Sequence, residues 1–356
     1  MLFSPTYSFN LPLLPPQIDL KEFANSLLKA RTEIAELKGY SFSMPNPMLL
    51  ISPSIIRESV ASSNIENINT TLIEVLQNEL FPEAERRTPD KEVLRYRDAV
   101  LWGFKHIKSV GLSTRLILGI QKQLIPEGHG DYRTQQNKII NSTTNEVLYM
   151  PPAVPEIPRL MSNWKRFVNE PSAEVDPLIR AAIAHYQFES IHPFSDGNGR
   201  TGRILMVMQL IQDEIITLPI LYISGYINNH RSDYYRLLRE VTAHEKWNEF
   251  ISFMLEGFYL QARETKDTLF KMMKLHVEFK ETLKKDHPKI YSADLVDSLF
   301  SSPVINPVKL GSMLGIHYMT ASRYLVSLAK SKLLKEGKYG RYHLFINERL
   351  LNAVKK

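Results

Sequence analysis

The sequence predicts a mainly α-helical protein with one β-hairpin in its body and a small C-terminal domain of winged-helix pattern. Three observations carry this prediction. Apolar residues recur at helical spacing along most of the 356 residues. Turn residues separate short β-prone runs in two places only, 137–150 and 333–346. Beyond residue 291 the order is helix, helix, Gly315, helix, hairpin.

The first sixteen residues are punctuated by proline and predict an extended arm. From Asp19 to Lys38 the spacing of Phe23, Leu27, Leu28, Ile34 and Leu37 predicts a helix. Ser52 followed by Pro53 has the form of a hydroxyl cap with proline at the first helical position, so a second helix is expected to start there. Helices follow over 70–80, 90–109 and 112–124. The hairpin is read from the turn residues Ser142 to Asn145 between two β-prone runs. Helical spacing resumes over 155–169, 177–190, 201–215, 232–242 and 245–261. A lysine-rich helical connector leads to helices near 292–300, 306–314 and 319–331, then two strands around Gly337 to Gly340. The expected division is 1–110 for the arm and N-terminal helices, 111–261 for a helical core, 262–290 for the connector and 291–356 for the winged helix.

The absence of cysteine excludes disulfides, thiolate metal sites and cysteine nucleophiles. No apolar run approaches the roughly 20 residues of a membrane helix, and the first residues lack a basic leader, so a cytoplasmic protein is expected. The net charge of +6 is unevenly spread: residues 261–356 hold 18 Lys and Arg against 9 Asp and Glu, and the rest hold 26 against 29. A basic C-terminal quarter suits either nucleic acid or a solvated lysine-rich surface.

The chemistry concentrates in His192-Pro193-Phe194-Ser195-Asp196-Gly197-Asn198-Gly199-Arg200-Thr201-Gly202-Arg203, between two helical segments. Gly197 and Gly199 allow successive backbone N–H groups to turn toward one point and form an anion nest. The following helix adds its own free N–H groups and partial positive charge. Arg200 and Arg203, three apart, can both reach one polyphosphate. Asp196 is a hard oxygen ligand for Mg2+ beside phosphates. His192 can take a proton from a hydroxyl, since an ordinary histidine titrates at about 6.5. Together these outline a phosphoryl or nucleotidyl transfer site.

This stretch resembles the Fic (filamentation induced by cAMP) family motif, H-P-F-x-D/E-G-N-G-R-x-x-R, and meets every specified position. The resemblance extends to the approach helix HYQFESIHPF, to Met150-Pro151-Pro152 behind the hairpin and to SGYINNHRSDYYRLL, covering about 50–260. It implies a helical core with a hairpin flap that binds ATP and Mg2+ and moves AMP onto a Ser, Thr or Tyr of a target protein or of itself. By resemblance, His192 is the base and Asp196 the metal ligand. Asn198 and the 197–202 backbone, including Gly197, Gly199, Thr201 and Gly202, hold the inner phosphates, and Arg200 and Arg203 the outer ones. Tyr234 and Tyr235 line the adenine pocket; Thr242 stands where some members have a base-contacting asparagine. Ser62-Ser63-Asn64-Ile65-Glu66-Asn67 resembles the family's inhibitory motif, S/T-x-x-x-E-G/N, in which the glutamate pairs with the second arginine of the main motif, here Arg203. Ser62, Glu66 and Asn67 are thus expected to form a brake.

Other readings use different residues. The same site can remove AMP, with Glu66 orienting water. The winged helix can bind DNA through Tyr318, Thr320, Ser322, Arg323 and Lys330, or serve as a dimerisation or target-docking module. His185, Glu189 and His192 have the spacing of three metal ligands on one helix, but that arrangement leaves the nest and both arginines unused.

Overall fold

A computed structural model describes the chain except residues 1–10, 43, 45, 129, 141–146, 171–174 and 356. The start of the N-terminal arm and the hairpin turn at Ser142 to Asn145 therefore lie outside the described residues. The protein is mostly helical with small antiparallel sheets, as the helical spacing leads one to expect. It divides into two compact units, one of residues up to 35 and 98–262, the other of 36–97 and 263–356. The cuts fall inside three helices, α1 (Ala24–Phe42), α4 (Thr88–Val110) and α11 (Trp247–Asp286).

The remaining elements, in chain order, are α2 (Pro47–Ile65), α3 (Leu72–Asn78), α5 (Thr114–Leu124), β1 (Ile139–Ile140), β2 (Val147–Tyr149) and α6 (Ile157–Asn169). Next come α7 (Pro177–Ile191), α8 (Asn198–Gln212), α9 (Ser224–Asn229), α10 (Arg231–His244) and α12 (Ala293–Ser301). The chain closes with β3 (Val304–Ile305), α13 (Pro307–Leu314), α14 (Tyr318–Lys330), β4 (Lys335–Tyr339), β5 (Tyr342–Ile346) and α15 (Glu348–Lys355).

In the first unit α7 and α8 are the central pair. Nearly every side chain of both is buried, so neither shows a polar face, as expected of helices surrounded by others. α6 covers α7 and α5 covers α8. Asp176 caps α7 by accepting from the Leu178 N–H, and Pro177 fills its first position. The arm is pinned by two buried amides. Asn163 exchanges hydrogen bonds with both backbone groups of Leu14, and Gln187 donates to the Pro12 carbonyl.

In the second unit α2 packs against α3, α12 and α15. It begins at Pro47, not at Pro53. Pro47 occupies the first turn and Pro53 sits inside the helix, so the Ser52-Pro53 start read from sequence was one of two proline starts, and the earlier one is used. Its far end is set by Asn67 at φ 63, with the Ile68 N–H donating to the Ser63 carbonyl. This left-handed exit favours Asn or Gly, which is a physical reason for Asn67 at the end of the Ser62–Asn67 motif. Ser62 is fully buried and Glu66 is half-buried at the helix end.

The C-terminal sheet has the order β3-β5-β4, all antiparallel, with Val304 opposite Ile346 and Tyr339 opposite Tyr342. The β4–β5 hairpin leans on the loop after α3: Phe81 stacks on Tyr342 at 4.3 Å and on Tyr339 at 5.3 Å. Glu85 receives the Tyr342 hydroxyl at 2.7 Å and pairs with Arg341. Asp297 of α12 ties His276 at 2.7 Å to Asn46, the residue before α2. No described helix is long and apolar enough to cross a membrane.

Candidate active site

The motif lies in the first unit, where α7 ends and α8 begins. His192 is the residue that stops α7. Its N–H donates to the Phe188 carbonyl at 3.0 Å, and its φ of 50 turns the chain out of the helix. Its Nδ1 lies 3.3 Å from the Glu189 carbonyl, an acceptor, which places the ring proton on Nδ1 and makes Nε2 the basic nitrogen.

The loop that follows has its carbonyls tied back one after another. The His192 carbonyl accepts from Arg133 Nε at 2.9 Å and the Pro193 carbonyl from the Arg133 N–H at 2.8 Å. Phe194 accepts from Asn198 Nδ2 at 2.8 Å and Asn137 Nδ2 at 3.0 Å, and Ser195 from Asn137 at 3.5 Å. Asp196 accepts from Gln121 Nε2 at 2.9 Å. In a trans peptide the N–H points away from the carbonyl before it, so fixing these oxygens turns the Ser195 and Asp196 amides the other way, while the Gly197 N–H is taken by Asp196 Oδ1. Gly197, at φ 74, then starts α8 with no side-chain cap. The sequence has thus built a rigid, amide-lined turn at a helix N-terminus, a geometry that attracts anions.

Each motif residue has a definite place. Asn198 is 2% exposed and spends its amide on both backbone groups of Phe194, so it closes the loop. Thr201 donates to Gln121 Oε1 at 2.7 Å. Gly202 packs against Glu189 so tightly that a Cβ would lie 2.4 Å from its carboxylate oxygen. Arg200 and Arg203 are both buried. Asp196 is exposed, with Oδ1 accepting the Gly197 N–H and Oδ2 3.7 Å from Arg200. A single exposed carboxylate beside an anion turn fits Mg2+, which takes few protein ligands and the substrate's phosphates.

Tyr234 is buried with its hydroxyl 2.8 Å from His185 Nε2, while Tyr235 is 40% exposed, the rings 5.3 Å apart. Thr242 meets the Tyr186 hydroxyl at 2.8 Å. His185 is therefore engaged with Tyr234, and among the described residues no three His, Asp or Glu converge as metal ligands. Burial, and next the positive Arg203, push the His185 pKa down to about 3, so the ring is neutral near pH 7. A lowered histidine pKa gives stability that is fully present above about 6.5 and is lost as pH falls toward 3, at about 1.4 kcal/mol per unit. Melting temperature between pH 7 and 5 is expected to fall more steeply in the wild type than in His185→Asn. Equal slopes would contradict this account.

The flap is β1 paired antiparallel with β2, and neither strand has a third neighbour among the described residues. Tyr149 donates to the Ser190 carbonyl at 2.7 Å and Gln136 to the Pro151 carbonyl at 2.8 Å. Sequence reasoning missed Arg133, Asn137 and Gln121. Only Gln121 left a signal, as a polar residue on the buried stripe of α5 formed by Leu116, Ile117, Ile120 and Leu124.

Three family profiles match the chain: Fic/DOC family N-terminal over residues 24–105, Fic/DOC family over 111–210, and Protein adenylyltransferase SoFic-like, C-terminal domain over 275–350. A Drosophila melanogaster protein described as Protein adenylyltransferase Fic is 30% identical over 140 residues, 37% of this chain and 25% of its own. A Nematostella vectensis protein of the same description is 25% identical over 238 residues, 62% of this chain and 52% of its own. The chain thus spans between a quarter and about half of the length of these curated relatives. Among solved structures, a Fic family protein from Desulfovibrio desulfuricans G20 is similar with TM-score 0.57 and 21% identity, covering 94% of this chain and 98% of that one. Fic-1 from C. elegans has TM-score 0.53 and 18% identity, covering 71% and 74%. At these identities the likeness is one of fold.

Proposed function

The chain belongs to the Fic/DOC family, and from that premise we propose that it is a protein adenylyltransferase that moves AMP from ATP to a Ser, Thr or Tyr hydroxyl of a target protein or of itself. The observation that carries this reading is the loop at 192–197, which has its carbonyls bound from behind and leads into the start of α8, which no side chain caps, beside the base. His192 Nε2 takes the proton of the target hydroxyl as its oxygen attacks the α-phosphorus. The bond from that phosphorus to the oxygen bridging to the β-phosphate breaks, and pyrophosphate leaves with the electron pair. The backbone of Gly197, Asn198, Gly199, Thr201 and Gly202 holds the inner phosphates, Arg200 and Arg203 the outer ones, and Tyr234 and Tyr235 border the adenine. Mg2+ on Asp196 would neutralise charge on the phosphates. Transfer of label from ATP to protein tests the reading; no labelled protein under any condition would overturn it.

Glu66 acts as the brake, with Ser62 and Asn67 holding its helix end, by competing with the outer phosphates for Arg203. The same pocket running in reverse, with Glu66 orienting water, would remove AMP. The open flap edge docks the target by main-chain pairing. Shortening the hairpin between Asn137 and Met150 is expected to abolish modification of a target while leaving ATP binding intact; unchanged modification would exclude the flap. The assignment to the cytoplasm and a homodimer are further parts of the reading.

DNA binding by the winged helix is the second reading. It is favoured by α14, the second helix of a helix–turn–helix, which exposes Tyr318, Met319, Arg323 and Lys330. It is limited by the wing, which is engaged by Phe81 and Glu85. Duplex binding that weakens steeply with salt and with Arg323→Glu would support it; salt-independent or absent binding would not.

A further inference from the structure

Arg133 stands outside every motif of the sequence, yet its side chain and backbone together hold two successive carbonyls of the catalytic turn and tie the turn to both ends of the flap. It is 3% exposed, and its described side-chain partners are all backbone carbonyls. Nε donates to His192, Nη1 to Gln135 at 3.1 Å and Nη2 to Pro152. Its backbone N–H holds Pro193. These acceptors come from three segments: the end of α7, the chain entering the flap and the chain leaving it. One planar fork spreads five N–H donors over three nitrogens and so meets three separate carbonyls at once, whereas the donors of lysine or glutamine all sit on one nitrogen. A guanidinium buried against carbonyls alone is also expensive to desolvate, so the arrangement is not explained by surface solubility or by a passing ion pair.

What it holds is the least relaxed backbone in the turn. His192 has φ 50, a left-handed conformation uncommon for any residue other than glycine, and its surroundings must fix it. Two bonds do so: the N–H to Phe188 behind it and the carbonyl to Arg133 ahead of it. Rotating that carbonyl swings the Cα–Cβ direction and with it the imidazole.

We propose that Arg133 is the positioning residue for the base, fixing the direction of the His192 imidazole and joining it to both ends of the flap. The inference rests on His192 acting as base in AMP transfer. It does not touch the phosphate ligands, which lie from Gly197 onward. Loss of the fork should therefore cost turnover and spare nucleotide binding, a split that a residue serving only the fold would not produce.

The test uses the full-length protein with Glu66→Gly, alone and combined with Arg133→Gln or Arg133→Lys. Three quantities are read: kcat for labelled AMP incorporation, the dissociation constant for ATP with Mg2+, and melting temperature. Arg133→Gln is expected to lower kcat by about 100-fold, the scale of a misplacement of about 1 Å, with ATP affinity unchanged. Arg133→Lys, which keeps the charge and can still reach one carbonyl, is expected to recover part of kcat. A kcat in the Glu66→Gly, Arg133→Gln protein equal to that of Glu66→Gly alone would overturn the proposal. So would parallel loss of kcat, ATP affinity and melting temperature in both variants. The Glu66→Gly protein by itself is the control for the adenylyltransferase reading: its failure to transfer AMP would overturn that reading and this inference with it, whereas transfer in it together with an undiminished kcat when Arg133→Gln is added overturns the inference alone.

Discussion

His192→Ala is expected to lower AMP transfer by about 100- to 10,000-fold, the usual worth of a general base, while ATP affinity stays at the wild-type value. The separation follows from the local structure. The imidazole sits at the end of α7, before the turn, with Nδ1 toward the Glu189 carbonyl and Nε2 as its basic nitrogen. The start of α8 and the two buried arginines lie beyond it, from Gly197 onward. Removing the ring leaves the backbone bonds of residue 192 to Phe188 and Arg133 available, so the turn keeps its shape. Isothermal titration of ATP with Mg2+ and labelled AMP incorporation, measured on the same preparation, check both halves. Near wild-type transfer would exclude His192 as the base, and lost ATP affinity would mean that the histidine serves the turn and not the hydroxyl.

Glu66→Gly is expected to raise AMP incorporation by about 100-fold at saturating ATP and Mg2+. If Glu66 engages Arg203 in the resting enzyme, the outer phosphates lack that cation and the α-phosphate settles out of line with the incoming hydroxyl. In-line geometry supplies most of the rate in such a transfer, so misalignment alone suffices for an effect of this size. Arg203→Ala removes both the partner of the brake and a phosphate ligand, and is expected not to activate. The double variant should match Arg203→Ala, because the two residues act through one interaction. A Glu66→Gly protein that binds ATP normally and transfers no faster than the wild type would reduce Ser62–Asn67 to an ordinary helix end, explained by the left-handed Asn67 alone.

The sequence-level reading reached the helical architecture and the turn because both are written locally. Gly197, Asn198 and the arginines lie within one loop and the first two turns of one helix, and their spacing follows from the helix they start. What escaped it depends on partners far along the chain. Gln121 comes from α5 and Arg133 and Asn137 from the approach to the flap, and nothing in their own neighbourhoods says that they grip carbonyls at 192–196. β3 is two residues long and exists because β5 pairs with it. α15 and the six-residue α9 fell below what periodicity resolves. The segment read as one helix and a connector is the single helix α11 of 40 residues, since no glycine or proline interrupts it beyond Gly257. Likewise α2, whose end carries the Ser62–Asn67 motif, packs on α12 and α15 in one compact unit. That pairing joins the beginning of the chain to its end, and no local pattern announces it.

The central claim is that the bond broken lies between the α- and β-phosphates and that the nucleotide half stays on protein. It is tested most directly by incubating the Glu66→Gly protein with Mg2+ and ATP labelled either at the α- or at the γ-phosphate, with His192→Ala as control. The account predicts α-label on protein, γ-label released in pyrophosphate, and neither on the His192→Ala protein. Protein carrying γ-label, or α-label incorporated equally without His192, would contradict it.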